Sequence, residues 1–104
     1  MKRIAFKMKL KPGFKQEYIK RHKEIWPEIA ELIKQSGISD YSIFFDEETN
    51  ILFGIQKVSG EISSQQLGNA CIQQRWWNYM SDIMETLPDH SPVTVFLEEV
   101  VYLE

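Results

Sequence analysis

An α+β fold of element order β-α-β-β-α-β is what this sequence predicts, on three observations. Short segments of period two open the chain, fill its middle and close it. Two longer segments of helical period lie between them. Turn signals rich in Pro, Gly, Asp and Asn separate the segments. This order is the ferredoxin-like or split βαβ arrangement, an antiparallel sheet with its helices on one face. The chain has 104 residues, which suits a single domain over residues 1–104. A chain of this size buries roughly two-thirds of its unfolded surface. That allows a core but no wide cleft, so a binding site must be cut between elements or completed by a second copy.

The first strand rests on Ile4, Phe6, Met8 and Leu10 alternating with Arg3, Ala5, Lys7 and Lys9. Pro12-Gly13 ends it with a turn. Phe14 to about Gln35 reads as a helix, with Tyr18, His22, Ile25, Trp26, Ile29 and Ile33 on one broad face. Pro27 lies inside that pattern and predicts a kink or broken turn near His22 and Lys23. Gly37 supplies the left-handed stop. Tyr41, Ile43 and Phe45 alternate with Ser42 and Phe44 in a second strand. Asp46 to Asn50 is a polar turn, Ile51 to Val58 the third strand, and Ser59-Gly60-Glu61 a loop. Gln65 to about Glu85 is mainly helical, with a break allowed at Gly68 and Ala70-Cys71-Ile72. Leu87 to Pro92 is a rigid loop. Val93, Val95 and Leu97, followed by Val100 to Leu103, predict a long last strand. The sheet face turned away from the helices carries alternating apolar residues, so a homodimer is expected to cover it.

Twelve basic and fifteen acidic residues give a net charge of −3, mixed along the chain. There is no basic run to support nucleic-acid binding. Lys7 and Lys9 interrupt the only apolar stretch near the N-terminus, so neither a secretory leader nor a membrane span is expected. Cys71 is the one cysteine. It allows no intrachain disulfide, is expected as a small buried residue, and points to the cytoplasm.

Chemistry concentrates in two places. Tyr18, His22 and Trp26 recur every four residues and form a column on one helix face. Downstream stands Arg75-Trp76-Trp77-Asn78-Tyr79-Met80. Histidine titrates near neutral pH and serves as acid or base. Trp and Tyr offer a flat apolar body with one polar handle, which matches the C–H face and hydroxyl rim of a sugar ring. The competing view is a packed aromatic core with a histidine at its edge. Adjacent on a helix, Trp76 and Trp77 point about 100° apart, so one is expected in the core and the other at a cavity or partner. His90, between Asp89 and Ser91, reads as loop polarity. No metal-ligand spacing, phosphate loop, nucleophile elbow or dinucleotide fingerprint occurs. What remains is acid–base chemistry with neither metal nor cofactor.

At these residues the chain resembles the L-rhamnose mutarotase family. The resemblance runs from Tyr18 through Arg21-His22-Lys23-Glu24-Ile25-Trp26-Pro27-Glu28 to Tyr41, then Gln74 to Met80, Ser91-Pro92-Val93 and Leu97 to Leu103. It implies a dimeric α+β barrel that interconverts the α and β anomers of L-rhamnopyranose without a cofactor. It also implies His22 as general acid, with Tyr18, Tyr41, Trp76 and Trp77 as sugar contacts. Two other readings use the same residues. One is a haem-handling or monooxygenase member of the same barrel architecture, with His22 as axial ligand. The other is a non-catalytic sugar-binding or dimerisation module.

Overall fold

The computed structural model describes residues 2–60, 63 and 71–104. Its elements are β1 (Lys2–Lys9), α1 (Lys15–Lys23), α2 (Pro27–Gln35), β2 (Ile38–Asp46), β3 (Ile51–Val58), α3 (Cys71–Met80) and β4 (Val95–Leu97). The strands form one antiparallel sheet in the order β2-β3-β1-β4. This is the expected β-α-β-β-α-β topology, with the first helical segment divided in two. Residues 65–70 of the expected later helix, and Glu61 of the loop before it, lie outside the described residues. Among the described residues no helix is long and apolar enough to cross a membrane.

The pleat sorts the sheet into two faces. Phe6 and Met8 of β1 and Leu52 of β3 enter the core with Tyr18, Ile29, Trp76, Trp77 and Met80 from the helices. Phe6 pairs directly with Gly54 on β3. A Cβ built on Gly54 would lie 2.5 Å from Phe6 Cε2, so the missing side chain is the space the ring occupies.

Residue phase on β2 is set by a bulge. Ser39 pairs with Lys57, whereas Ser42 pairs with Ile55, so β2 carries one extra residue between them. Asp40 takes up the irregularity at φ 47°. Ile38 and Tyr41 are three apart and would face opposite sides of a regular strand. The bulge brings the buried Ile38 and the half-buried Tyr41 to the helix side together.

The proline break falls later than expected. α1 runs through His22 and Lys23, and Pro27 is the first residue of α2 rather than a kink inside one helix. Trp26 has φ −60° and ψ 131°, the extended conformation that a following proline favours. Pro at the first helical position loses nothing, since its missing N–H has no intrahelical partner. Trp26 therefore leaves the column of Tyr18 and His22. Its ring stacks on Tyr79 at 5.5 Å and meets Trp76 edge-on at 5.1 Å.

Two further expectations are corrected. The last strand is only Val95–Leu97, and Val100 to Leu103 run on exposed without strand pairing. Cys71 begins α3 as an exposed free thiol, not a buried one. The tail runs past the three residues that β1 pairs, and Cys71 lies on the side of α3 away from its buried face of Gln73, Trp76, Trp77 and Met80.

Gly54→Ala forces the Phe6 ring from its seat. We expect a loss of about 1–3 kcal/mol, typical of overpacking in a close-packed core. Urea unfolding monitored by circular dichroism checks this, and an unchanged midpoint would show that Phe6 has room to move.

Candidate active site

The site grows from the last two turns of α1. Tyr18 and His22 are one turn apart, and their rings stack with centroids 4.2 Å apart at 30°. His22 Nδ1 lies 3.0 Å from the backbone carbonyl oxygen of Tyr18. A carbonyl only accepts, so Nδ1 carries the proton and Nε2 keeps its lone pair in the neutral ring. The edge contact of His22 with Trp76, 5.6 Å at 86°, closes another side of the imidazole. Burial disfavours the imidazolium and holds the His22 pKa below its ordinary 6.5; the bond to the Tyr18 carbonyl opposes this more weakly. The Tyr18 phenol is pushed far upward, first by burial and then by Tyr41. It stays protonated and keeps an O–H to donate.

Arg21 fastens this part of α1 to the end of α3. Its Nε donates to Glu17 Oε2 at 2.8 Å. Nη1 donates to the Tyr79 carbonyl and to Asp82 Oδ1, both at 2.8 Å, and Nη2 to Asp82 Oδ2 at 3.2 Å. The guanidinium also lies 4.4 Å over the Tyr79 ring. The fork geometry of arginine meets a carboxylate and a carbonyl of the last α3 turn at once. The residue next to Arg21 in sequence is His22, so the clamp fixes where the imidazole meets Trp76.

The buried face of α3 is Gln73, Trp76, Trp77 and Met80, the helical spacing of three and four residues. Both indoles are buried and both line the same cavity. The expectation that the pair would divide between core and another surface is therefore corrected. Positions 100° apart still fall within one face when sheet, α1 and α2 all pack against it.

That cavity measures about 220 Å³ and is lined by all five residues proposed from the sequence: Tyr18, His22, Tyr41, Trp76 and Trp77. It lies below the roughly 300–1,000 Å³ of pockets for drug-sized ligands, and so suits one small ring. Ile25, Ile29 and Ile33 add an apolar wall. A second hollow of about 420 Å³ shares Tyr18, His22, Tyr41 and Ile43 with it but reaches neither indole.

Gln73, Thr86 and His90 also line the cavity and were not singled out as site residues from the sequence. Gln73 stands three and four residues before the indoles, so a helical wheel carries the signal. His90 arrives by the fold of its loop, where the backbone takes φ 70°. Its Nδ1 sits 2.7 Å from Asn78 Oδ1, and Gln74 Nε2 donates to both Asn78 Oδ1 and the Asp89 carbonyl. Loop polarity describes these bonds, but the loop also closes one side of the site.

Comparison with known proteins places the chain. The sequence profile of L-rhamnose mutarotases matches residues 3–103. An L-rhamnose mutarotase of Bacteroides thetaiotaomicron is 59% identical over 104 residues, covering all of both chains. One from Phocaeicola vulgatus is 57% identical over the same full lengths. The crystal structure of an L-rhamnose mutarotase from Formosa agariphila superposes with a TM-score of 0.93 at 54% identity, again covering both chains completely.

Acid should expose the buried imidazole. Above pH 6.5 His22 is neutral in both folded and unfolded chains, and its stability contribution is complete. Below 6.5 the unfolded chain takes a proton that the folded chain resists, so stability falls with pH until the lowered folded pKa is reached. NMR titration of the imidazole should find a midpoint below 6.5, and urea unfolding at pH 5.5 and 7.5 should show the smaller stability at 5.5. A midpoint at or above 6.5 would remove the neutral imidazole.

Proposed function

The chain belongs to the L-rhamnose mutarotase family, and from that premise we propose that its cavity interconverts the α and β anomers of L-rhamnopyranose with His22 as proton carrier. One observation carries the reading: a neutral, oriented imidazole stands beside two indoles in a cavity sized for one small ring. Trp76 and Trp77 take the C–H face of the sugar. Tyr18 and Tyr41 offer hydroxyls to its rim. The isoleucine wall receives the C6 methyl.

The chemistry needs only proton transfer. Nε2 of neutral His22 removes the proton of the anomeric hydroxyl. The C1–O5 bond then breaks, giving the aldehyde, and the departing ring oxygen takes the proton back from the imidazolium. O1 and O5 are both bonded to C1, so one nitrogen over that carbon reaches both. Rotation about C1–C2 presents the other face, and the same steps in reverse close the ring. His22 thus acts first as base and then as the general acid that the family resemblance implies. A positioned group of this kind contributes about 10²–10⁴-fold. A haem on His22 fits less well, because Trp76 meets the imidazole at 5.6 Å and the cavity has only about 220 Å³.

We propose also that the protein works as a homodimer through the sheet face opposite the helices. Phe44 is 61% exposed there, Val95 49%, and Ile55 and Leu97 40% each, and the apolar tail continues with Val100 and Val101. A contiguous exposed apolar face of this kind marks an association surface. Light scattering at micromolar concentration should report twice the chain mass, and Phe44→Glu should shift it toward the monomer. A single-chain mass for the unsubstituted protein would refute the dimer.

NMR exchange spectroscopy tests the activity. The protein should speed exchange between the anomeric signals of L-rhamnose, and His22→Ala should lower that rate roughly 10²-fold or more with the fold retained. L-mannose differs only by a hydroxyl on C6 and should exchange more slowly, since burying the methyl is worth about 0.8 kcal/mol, near fourfold. Unchanged exchange in His22→Ala with the fold retained would leave His22 a structural residue and overturn the mechanism, whereas equal rates for the two sugars would place the C6 group outside the isoleucine wall.

A further inference from the structure

Among the polar residues of the cavity lining that the proton chemistry does not use, Gln73 is the buried one. Gln73 is 5% exposed and lines the cavity. Its Oε1 is buried and has no hydrogen-bond partner among the described residues. Buried polar atoms are nearly always paired, and an unpaired acceptor destabilises the fold relative to an apolar side chain of the same shape. This one stands on α3 one turn before Trp76 and Trp77, on the same buried face. It therefore sits at the end of the proposed sugar platform.

The acceptor limits what it can meet. A carboxamide oxygen is neutral and takes a hydrogen bond only from a donor. It offers nothing to a carboxylate, a phosphate, an ether oxygen or a methyl group. A ring hydroxyl of a neutral sugar is a donor of the right kind, and a sugar lies with its hydroxyl rim at the border of any indole that covers its C–H face. We propose, resting on the mutarotase reading above, that Gln73 determines specificity: its Oε1 accepts a hydrogen bond from one ring hydroxyl of the bound 6-deoxyhexose. A sugar without that hydroxyl leaves the acceptor buried and unpaired, and is rejected for that reason.

Gln73→Met and Gln73→Leu test this, since both side chains are apolar, of similar size and good helix formers. Anomer exchange is measured for L-rhamnose and for its 2-deoxy, 3-deoxy and 4-deoxy analogues, with thermal unfolding of each variant alongside. Removing the acceptor should raise KM for L-rhamnose roughly tenfold while kcat changes far less. One of the three analogues should be a poor substrate of the unsubstituted protein, and the variants should lose that one discrimination while keeping the other two. The melting temperature should rise, because an unpaired buried acceptor has gone. Unchanged KM with unchanged preferences overturns the assignment. So does a fall in melting temperature in both variants, which marks Oε1 as a satisfied structural acceptor. If the unsubstituted protein does not speed L-rhamnose exchange at all, the mutarotase reading fails and this inference with it; if it does, only the role of Gln73 is at stake.

Discussion

The site depends on the constraint that Pro27 places on the residue before it. Trp26 is held extended, α1 stops at Lys23, and α2 starts afresh at Pro27. Without that break Trp26 would remain stacked above His22 on one long helix. With it, the indole crosses to α3 and packs on Trp76 and Tyr79. His22 is left in the last turn of a short helix, with the Tyr18 carbonyl behind it and the edge of Trp76 beside it. The Arg21 clamp completes the arrangement, because a helix of nine residues is too short to hold its own orientation by intrinsic stability.

The surroundings of His22 explain how so small a protein controls a proton. Aromatic rings exclude water from the imidazole and keep it neutral, while a backbone carbonyl settles which nitrogen carries the hydrogen. A neutral ring with a defined free nitrogen is the form that begins hemiacetal opening as a base. The same burial keeps the Tyr18 phenol protonated, so the two neighbours have different roles. Burial is the leading cause of both shifts, and it separates donor from acceptor.

Much of the fold was legible from local chemistry. Alternation in Ile4, Phe6 and Met8, and again in Tyr41, Ile43 and Phe45, follows from the pleat of a strand with one buried face. Gly37 adopts φ 82° at the end of α2, and Asn50 φ 59° at the end of its turn, as residues tolerant of the left-handed region do. The bulge at Asp40 was not legible, because it answers the register of β3 and not the preferences of its own neighbours. Nor was the shortness of β4. An apolar run reads as strand whether or not a pairing edge continues beside it, and β1 pairs only Val95 to Leu97.

By itself the sequence determined the residue types of the site and their spacing: an imidazole one turn from a phenol, and two indoles on a later helix. It also determined the proline that divides the helical segment, because proline acts on its own backbone and that of its neighbour. Tertiary structure alone decided that Trp76 and Trp77 share one cavity, that Trp26 leaves it, and that Gln73 and His90 join it. Helical period fixes directions relative to one axis only. What those directions meet depends on how the sheet, the Arg21 clamp and the 86–92 loop set that axis against other segments distant in sequence, and this is a property of packing that no local pattern carries.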